Sequence, residues 1–144
     1  MRALIERIKE GKLYIDNTLK EEVGPSLLVY IAFTEGDTKE TINKMVDKVI
    51  KLRIFEDENH KMNKSIKDIN GEILLISSFS LYGDTKGNNR PSFVKSLSYN
   101  DAYPLWESFK DELSSKHITK TGVFGADMQI KAINDGPVSI IIDL

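Results

Sequence analysis

The stretch Ser77-Ser78-Phe79-Ser80-Leu81-Tyr82-Gly83-Asp84 sets three hydroxyls directly after the aliphatic run Ile73-Leu74-Leu75-Ile76. A strand that ends by opening into a loop frees main-chain N–H groups to point at a ligand. Side chains as small as those of Ser77, Ser78 and Ser80 let that ligand come close. Together these are the ingredients of an oxyanion hole, the donor pair that holds charge developing on a carbonyl oxygen during acyl transfer. Serines at a strand end also bond back to their own chain as turn formers, and spacing alone leaves both readings open.

Other chemistries find less material. The only histidines are His60, in a charged stretch, and His117, just past a helical pattern, and there is no Gly-x-Ser-x-Gly elbow for a serine–histidine hydrolase. No His/Asp/Glu group has metal-ligand spacing, and the absence of cysteine removes thiol nucleophiles and thiolate metal sites together. Lys86, Arg90 and Lys95 follow the serines, and a second basic group runs from His60 to Lys67. These are either a solvated surface or, if both flank one cleft, a hold on the phosphates of a terminal nucleotide. Asn134-Asp135-Gly136-Pro137 reads as a sharp reversal between two strands, and a Gly-Pro bond can be cis at modest cost. Gly24-Pro25 is the same dipeptide and is assigned no function.

The elements that must position these residues can be read from periodicity. Alternation in residues 3–8 and 13–15, with Gly11-Lys12 between, predicts an opening hairpin turning at that glycine. Residues 26–33 are too continuously apolar to have a wet face and predict a buried strand. Ile42, Met45, Val46, Val49 and Ile50 recur at spacings of three and four, predicting a helix over 38–52 with Asp37 and Glu40 at the spacing of a capping box. Ala102, Leu105, Trp106, Phe109 and Leu113 mark a second helix, starting near Asp101 so that Pro104 falls in its first turn. Further strands are expected at 72–77, 122–124, 128–133 and 137–142. Residues 83–99 show no clear period, and with Phe93, Val94 and Leu97 as anchors they predict an ordered loop beside the serines. The pattern is α+β: a mixed or antiparallel sheet with two main helices on one face, in one domain spanning 1–144.

The 144 residues are enough for a core without disulfides or metals. Arg2, Glu6 and Arg7 interrupt the apolar amino terminus as no signal peptide core allows, and no run approaches the roughly 20 apolar residues of a bilayer span. A cytoplasmic protein with no membrane partner is expected. The net charge of −2 argues against a partner gripped mainly by long-range attraction to phosphates, so any bound nucleic acid should be held over a small part of its length.

With the motifs assembled, the sequence resembles the D-aminoacyl-tRNA deacylases over nearly its whole length. "RIFEDENHKMNKS", "SSFSLYGDTKGNNRPSF", "TGVFGADM" and "NDGPVSI" occur in that family's order and at about its spacing. The resemblance implies a homodimer that hydrolyses the ester joining a D-amino acid to the terminal adenosine of tRNA, without metal or cofactor. It also implies clearance of glycine mischarged on tRNA, as proofreading in translation. It puts the family's Ser-Gln-x-Thr stretch on Ser77, Ser78, Phe79 and Ser80. Its Gly-Pro motif, cis and reaching into the partner's pocket, falls on Gly136 and Pro137. It places the adenosine near Phe124, Gly125 and Met128, with Arg90 or Lys86 toward the phosphates. Two departures stand out: Ser78 replaces a usual glutamine, and Ser80 replaces threonine, keeping the hydroxyl but losing a methyl group and the stiffness of a β-branched side chain. On this reading the N–H groups of Phe79 and Ser80 face the scissile ester. Ser80 matches the family's proposed nucleophile, yet no base stands ready beside it, so direct attack by water is the expected route. The alternatives are a small-molecule D-amino-acid esterase using the same backbone site and a non-catalytic tRNA-binding dimer.

Overall fold

Strand β1 (Arg2–Ile15) is the axis of the fold, because its 14 residues are long enough to pair with three other strands. The computed structural model describes residues 1–144. On one edge, residues 2–8 of β1 lie antiparallel to β3 (Ser26–Ala32), and residues 11–15 lie antiparallel to β2 (Thr18–Val23). On the other edge runs β8 (Met128–Asp143), also antiparallel, along the whole length of β1. The predicted turn at Gly11-Lys12 is therefore corrected. The chain reverses instead at Asp16-Asn17, whose φ values of 48° and 60° supply the left-handed pair that a two-residue hairpin turn requires. Gly11 is glycine for closeness: a Cβ there would stand 2.9 Å from Ile8 and 3.2 Å from Val23.

Beyond β3 the sheet turns parallel, with β6 (Glu72–Ser77) beside β3 and β7 (Thr119–Thr121) beside β6. Each parallel step is bridged by one helix, α1 (Lys39–Lys51) and then α2 (Tyr99–Lys116). A small hairpin, β4 (Phe55–Glu56) with β5 (Met62–Lys64), follows α1. The pleat explains why β3 and β6 read as unbroken apolar runs. Leu27, Val29, Ile31, Ile73 and Leu75 meet Ile42, Met45, Val46 and Val49 of α1 and Trp106, Phe109 and Leu113 of α2. Leu28, Leu74 and Ile76 point the other way, into a smaller cluster with Ile8, Leu13 and Val23. Both faces of these central strands are covered, as parallel strands require.

Three boundary expectations need correction. The cap of α1 is Thr38: Thr41 N–H donates to its hydroxyl at 3.4 Å and Thr38 N–H donates to the Thr41 hydroxyl at 2.7 Å. Asp37 is drawn off that role, accepting from the Met1 ammonium at 2.7 Å and from Thr34 N–H at 2.8 Å. Helix α2 begins two residues before Asp101, capped by Ser98, so Pro104 lies past the first turn and Asn100 loses the donor its carbonyl would have met there. Finally, residues 122–124 are not a strand. Gly122 N–H makes the last rung, to Leu75 C=O at 2.9 Å, and the chain then leaves the sheet.

The expected reversal at Asn134–Ser139 lies inside β8. Asn134 pairs with Ile8 and Ser139 with Glu6, so the four residues between them bulge opposite Arg7 alone. The local turn chemistry is present, but β1 continues unbroken beneath it and pulls both flanks into one strand. The buried Arg7 side chain anchors the bulge, donating from Nε to Asp135 C=O at 3.0 Å and from Nη1 to Ile54 C=O at 2.7 Å. The Gly136–Pro137 bond is cis, and Gly136 has φ +127°.

Tyr82 closes the turn that follows β6, beneath the Arg2 guanidinium at 5.2 Å. Desolvation, and then the charge of Asp37, pushes its phenol up to about 12. A raised folded-state pKa gives stability that is complete below about pH 10, the unfolded value, and that is lost as pH rises toward 12. Tyr82→Phe is expected to flatten the alkaline loss of stability in that window. Denaturant midpoints at about pH 9 and about pH 11.5 measure the change, which solvent screening of the half-exposed phenol keeps small.

Candidate active site

Strands β3 and β6 end together, Ile31 opposite Ser77. The last link between them is Ser78 N–H donating to Ile31 C=O at 2.9 Å. From there β6 cannot continue as a strand, because its chain coils into a single 3-10 turn, Phe79–Tyr82. Hydrogen bonds in that turn start with Leu81 N–H to Ser78 C=O at 3.1 Å. The N–H groups of Phe79 and Ser80 precede that first bonded donor and are left free, as at any helix start. Diverging parallel strands open a crevice beyond their carboxyl ends, the place where such sheets take ligands.

A cavity of about 490 Å³ occupies this crevice. It brings together seven of the residues singled out from sequence: Ser77, Ser78, Phe79, Ser80, Phe124, Gly125 and Met128. Met128 opens β8, while Phe124 and Gly125 belong to the segment that leaves the sheet after Gly122. A Cβ on Gly122 would meet the Met128 sulfur at 2.6 Å, so glycine there lets the thioether lie against β6. At Gly125, φ +76° and a would-be Cβ contact of 2.6 Å with the Tyr99 ring make glycine necessary on both grounds.

The serines form a pair as well as a gap. The Ser78 and Ser80 hydroxyls are 2.9 Å apart, so the two residues that depart from the resembling family's pattern bond one another. None of the fifteen lining residues is Asp, Glu, His, Lys or Arg. His117 is occupied elsewhere, its Nε2–H donating to Gly71 C=O at 2.8 Å, and His60 stands exposed beside Glu56. What the site offers a ligand is main-chain donors, hydroxyls and an apolar wall.

Five expected site residues lie elsewhere. Arg90 is exposed in the 83–98 loop and does not line the cavity. Lys86 and Lys95 stay near Asp84, the first through its N–H at 2.9 Å and the second through its ammonium at 3.7 Å. Gly136 and Pro137 sit exposed in the β8 bulge, outside the cavity of their own chain. The loop itself is ordered, as expected. Asp84 bridges Ser92, Phe93 packs edge-on against Phe79 with centroids 5.0 Å apart, and Leu97 N–H reaches Phe33 C=O at 3.0 Å.

Sequence reasoning missed the opposite wall, which Ala32, Phe33, Ser96, Leu97, Tyr99 and Ala102 supply. Phe33 read as part of a buried strand, Leu97 as an anchor of the loop and Ala102 as part of a helix face. Tyr99 alone carried a usable signal, as an aromatic set among the polar residues Ser98, Asn100 and Asp101.

The geometry can be set beside known proteins. A family model described as D-Tyr-tRNA(Tyr) deacylase matches residues 4–143. The D-aminoacyl-tRNA deacylase of Clostridium kluyveri is 45% identical over 144 residues, covering 99% of this chain and 97% of its own. That of Lactobacillus gasseri is 43% identical over 145 residues, covering all of both chains. Among solved structures, a c-Myc DNA unwinding element binding protein superposes with a TM-score of 0.95 at 31% identity, over 100% of this chain and 99% of that one. A probable eukaryotic D-amino acid tRNA deacylase shares the fold at a TM-score of 0.84 and 19% identity, over 99% and 98% of the two chains. With the serine-rich strand end, the 121–128 segment and the Gly-Pro bulge all inside the matched span, the chain belongs to the D-Tyr-tRNA(Tyr) deacylase family.

Proposed function

We propose that the protein is a homodimeric deacylase that hydrolyses the ester between a D-amino acid, or glycine, and the terminal adenosine of tRNA. One observation carries the chemistry: the main-chain N–H groups of Phe79 and Ser80 have no hydrogen-bond partner within the chain, and both residues line a cavity that holds no Asp, Glu, His, Lys or Arg and no metal-ligating cluster. Such a site cannot activate a strong nucleophile, but it can stabilise an oxyanion. Water adds to the ester carbonyl, and the oxygen that gains negative charge is held by the two N–H donors. The tetrahedral intermediate then collapses. Its carbon–oxygen bond to the ribose breaks, and the proton that water brought passes to the departing ribose oxygen, with the neighbouring ribose hydroxyl as carrier. Free D-amino acid and tRNA result. Ser80, bonded to Ser78, serves to place that water.

Handedness is assigned to Gly136 and Pro137 of a second copy. They lie exposed on β8, an edge strand whose outer edge pairs with no strand of its own chain and is open to another protomer. Their carbonyls would seat the α-hydrogen and amino group of a D-residue, while an L-residue would drive its side chain into rigid backbone. Exclusion of this kind tolerates many D side chains and also glycine.

The test is release of D-tyrosine and not L-tyrosine from charged tRNA, run beside a simple D-tyrosine ester, for the native chain and Ser80→Ala. Ser80→Ala is expected to stay within about tenfold of native, and a fall beyond about 10⁴-fold favours a covalent seryl route instead. Equal efficiency on the simple ester would identify a small-molecule esterase, because a tRNA enzyme draws on binding to the adenosine.

A further inference from the structure

Helix α2 starts at the rim of the cavity and carries two tyrosines that the mechanism above leaves unused. Tyr99 and Tyr103 are four residues apart and so share one side of the helix. Their rings are parallel to within 7°, with centroids 6.1 Å apart. Phe124 braces both edge-on, at 5.1 Å from Tyr99 and 5.5 Å from Tyr103, and is itself backed by the buried Trp106 at 5.8 Å. Gly125, which can bear no side chain there, lets Tyr99 close down on the segment. Despite this support, Tyr99 is 58% and Tyr103 43% exposed. Rings held rigidly yet left in water are suited to taking up another flat ring, since little freedom remains to be lost on stacking. Tyr99 lines the cavity and Tyr103 does not, so the aromatic surface leads from the cavity outward over its rim.

We propose that Tyr103, backed by Tyr99, is a stacking platform for the nucleobase immediately 5′ of the terminal adenosine. The inference rests on the reading of the cavity as the seat of that adenosine. A polynucleotide whose last nucleoside fills the cavity must leave across the rim, and its next base is the first flat group to pass the two tyrosines. Stacking accepts any base, because every base has a π-face, so the platform adds affinity without a sequence requirement. In tRNA the base is the cytosine that precedes the terminal adenosine. The platform also suits a chain with a net charge of −2, which cannot draw RNA by long-range attraction.

Two measurements test this. The first is calorimetric binding of adenosine monophosphate and of the dinucleotide cytidylyl-adenosine to the native protein, Tyr103→Ala and Tyr103→Trp. The native protein should bind the dinucleotide about tenfold or more tighter, Tyr103→Ala should lose that advantage, and Tyr103→Trp should keep it. The second is hydrolysis of D-tyrosyl-tRNA against D-tyrosyl-adenosine. Tyr103→Ala should raise KM about tenfold on the tRNA with kcat unchanged and leave the adenosine ester unaffected. No dinucleotide advantage in the native protein, its survival in Tyr103→Ala, or an equal loss on both esters overturns the platform. If neither ester is hydrolysed while the dinucleotide advantage still depends on Tyr103, the catalytic reading falls and the platform stands.

Discussion

Phe79→Pro is expected to lower kcat on D-tyrosyl-tRNA by about 10²–10³-fold while leaving the protein folded, the loss seen when one oxyanion donor is removed. Phe79 is the first residue of its 3-10 turn, the position where proline fits a helix start because its missing N–H has no internal partner. The substitution therefore deletes the proposed donor with little disturbance to the turn. It also deletes a ring that packs on Phe93, so Phe79→Ala is the necessary control, keeping the N–H and losing the ring. The alanine variant should lose about 0.5–1.5 kcal/mol of stability from the broken aromatic pair and little rate. Steady-state kinetics and a denaturant titration of the two variants separate the effects. Equal kcat losses in both would move the chemistry away from this N–H and toward the ring.

Gly136→Ala should damage stereochemical discrimination more than turnover. At φ +127° an L-residue is strained, and the added Cβ would stand 2.8 Å from Val138 and 3.0 Å from the Arg7 guanidinium. Neither neighbour can retreat freely, since Arg7 is buried and bonded to Asp135 and Ile54, and Val138 is buried within the core. The bulge must shift instead, at about 1–3 kcal/mol, seen as a fall in Tm of roughly 5–10 °C. If these carbonyls sense the α-carbon of substrate in the partner's cavity, a shift of the bulge relaxes the exclusion of L-residues. The ratio of D-tyrosine to L-tyrosine release should drop by at least about tenfold, because a misplacement near 1 Å can carry a hundredfold effect. A variant that is less stable but keeps its full discrimination would falsify the assignment of handedness to this bulge.

Much of the scaffold was legible because it is governed by local pattern. Helix α1 buries the five residues its spacing marked, and β6 spans the 72–77 stretch read from its aliphatics. Errors fell where a distant partner overrode a local signal. Asp37 had the spacing of a cap but found a buried ammonium, and Thr38 took the cap in its place. Gly11-Lys12 had the look of a turn, yet β8 zips along the far edge of β1 and holds it straight through. The same pairing absorbed Asn134–Ser139 as a bulge.

By itself, then, the sequence determined the two amphipathic helices, the doubly buried central strands, the small hydroxyls at the end of β6 and the family to which they belong. These follow from side-chain type and short-range period, which are properties of consecutive residues. Only the tertiary structure decided that β1 is shared among three strands, that the Gly-Pro bulge rests on Arg7, and that Phe33, Leu97 and Tyr99 wall the cavity opposite Ser77 and Ser80. Those outcomes depend on which remote segments share a strand edge, and contact between residues far apart in the chain leaves no periodic trace along it.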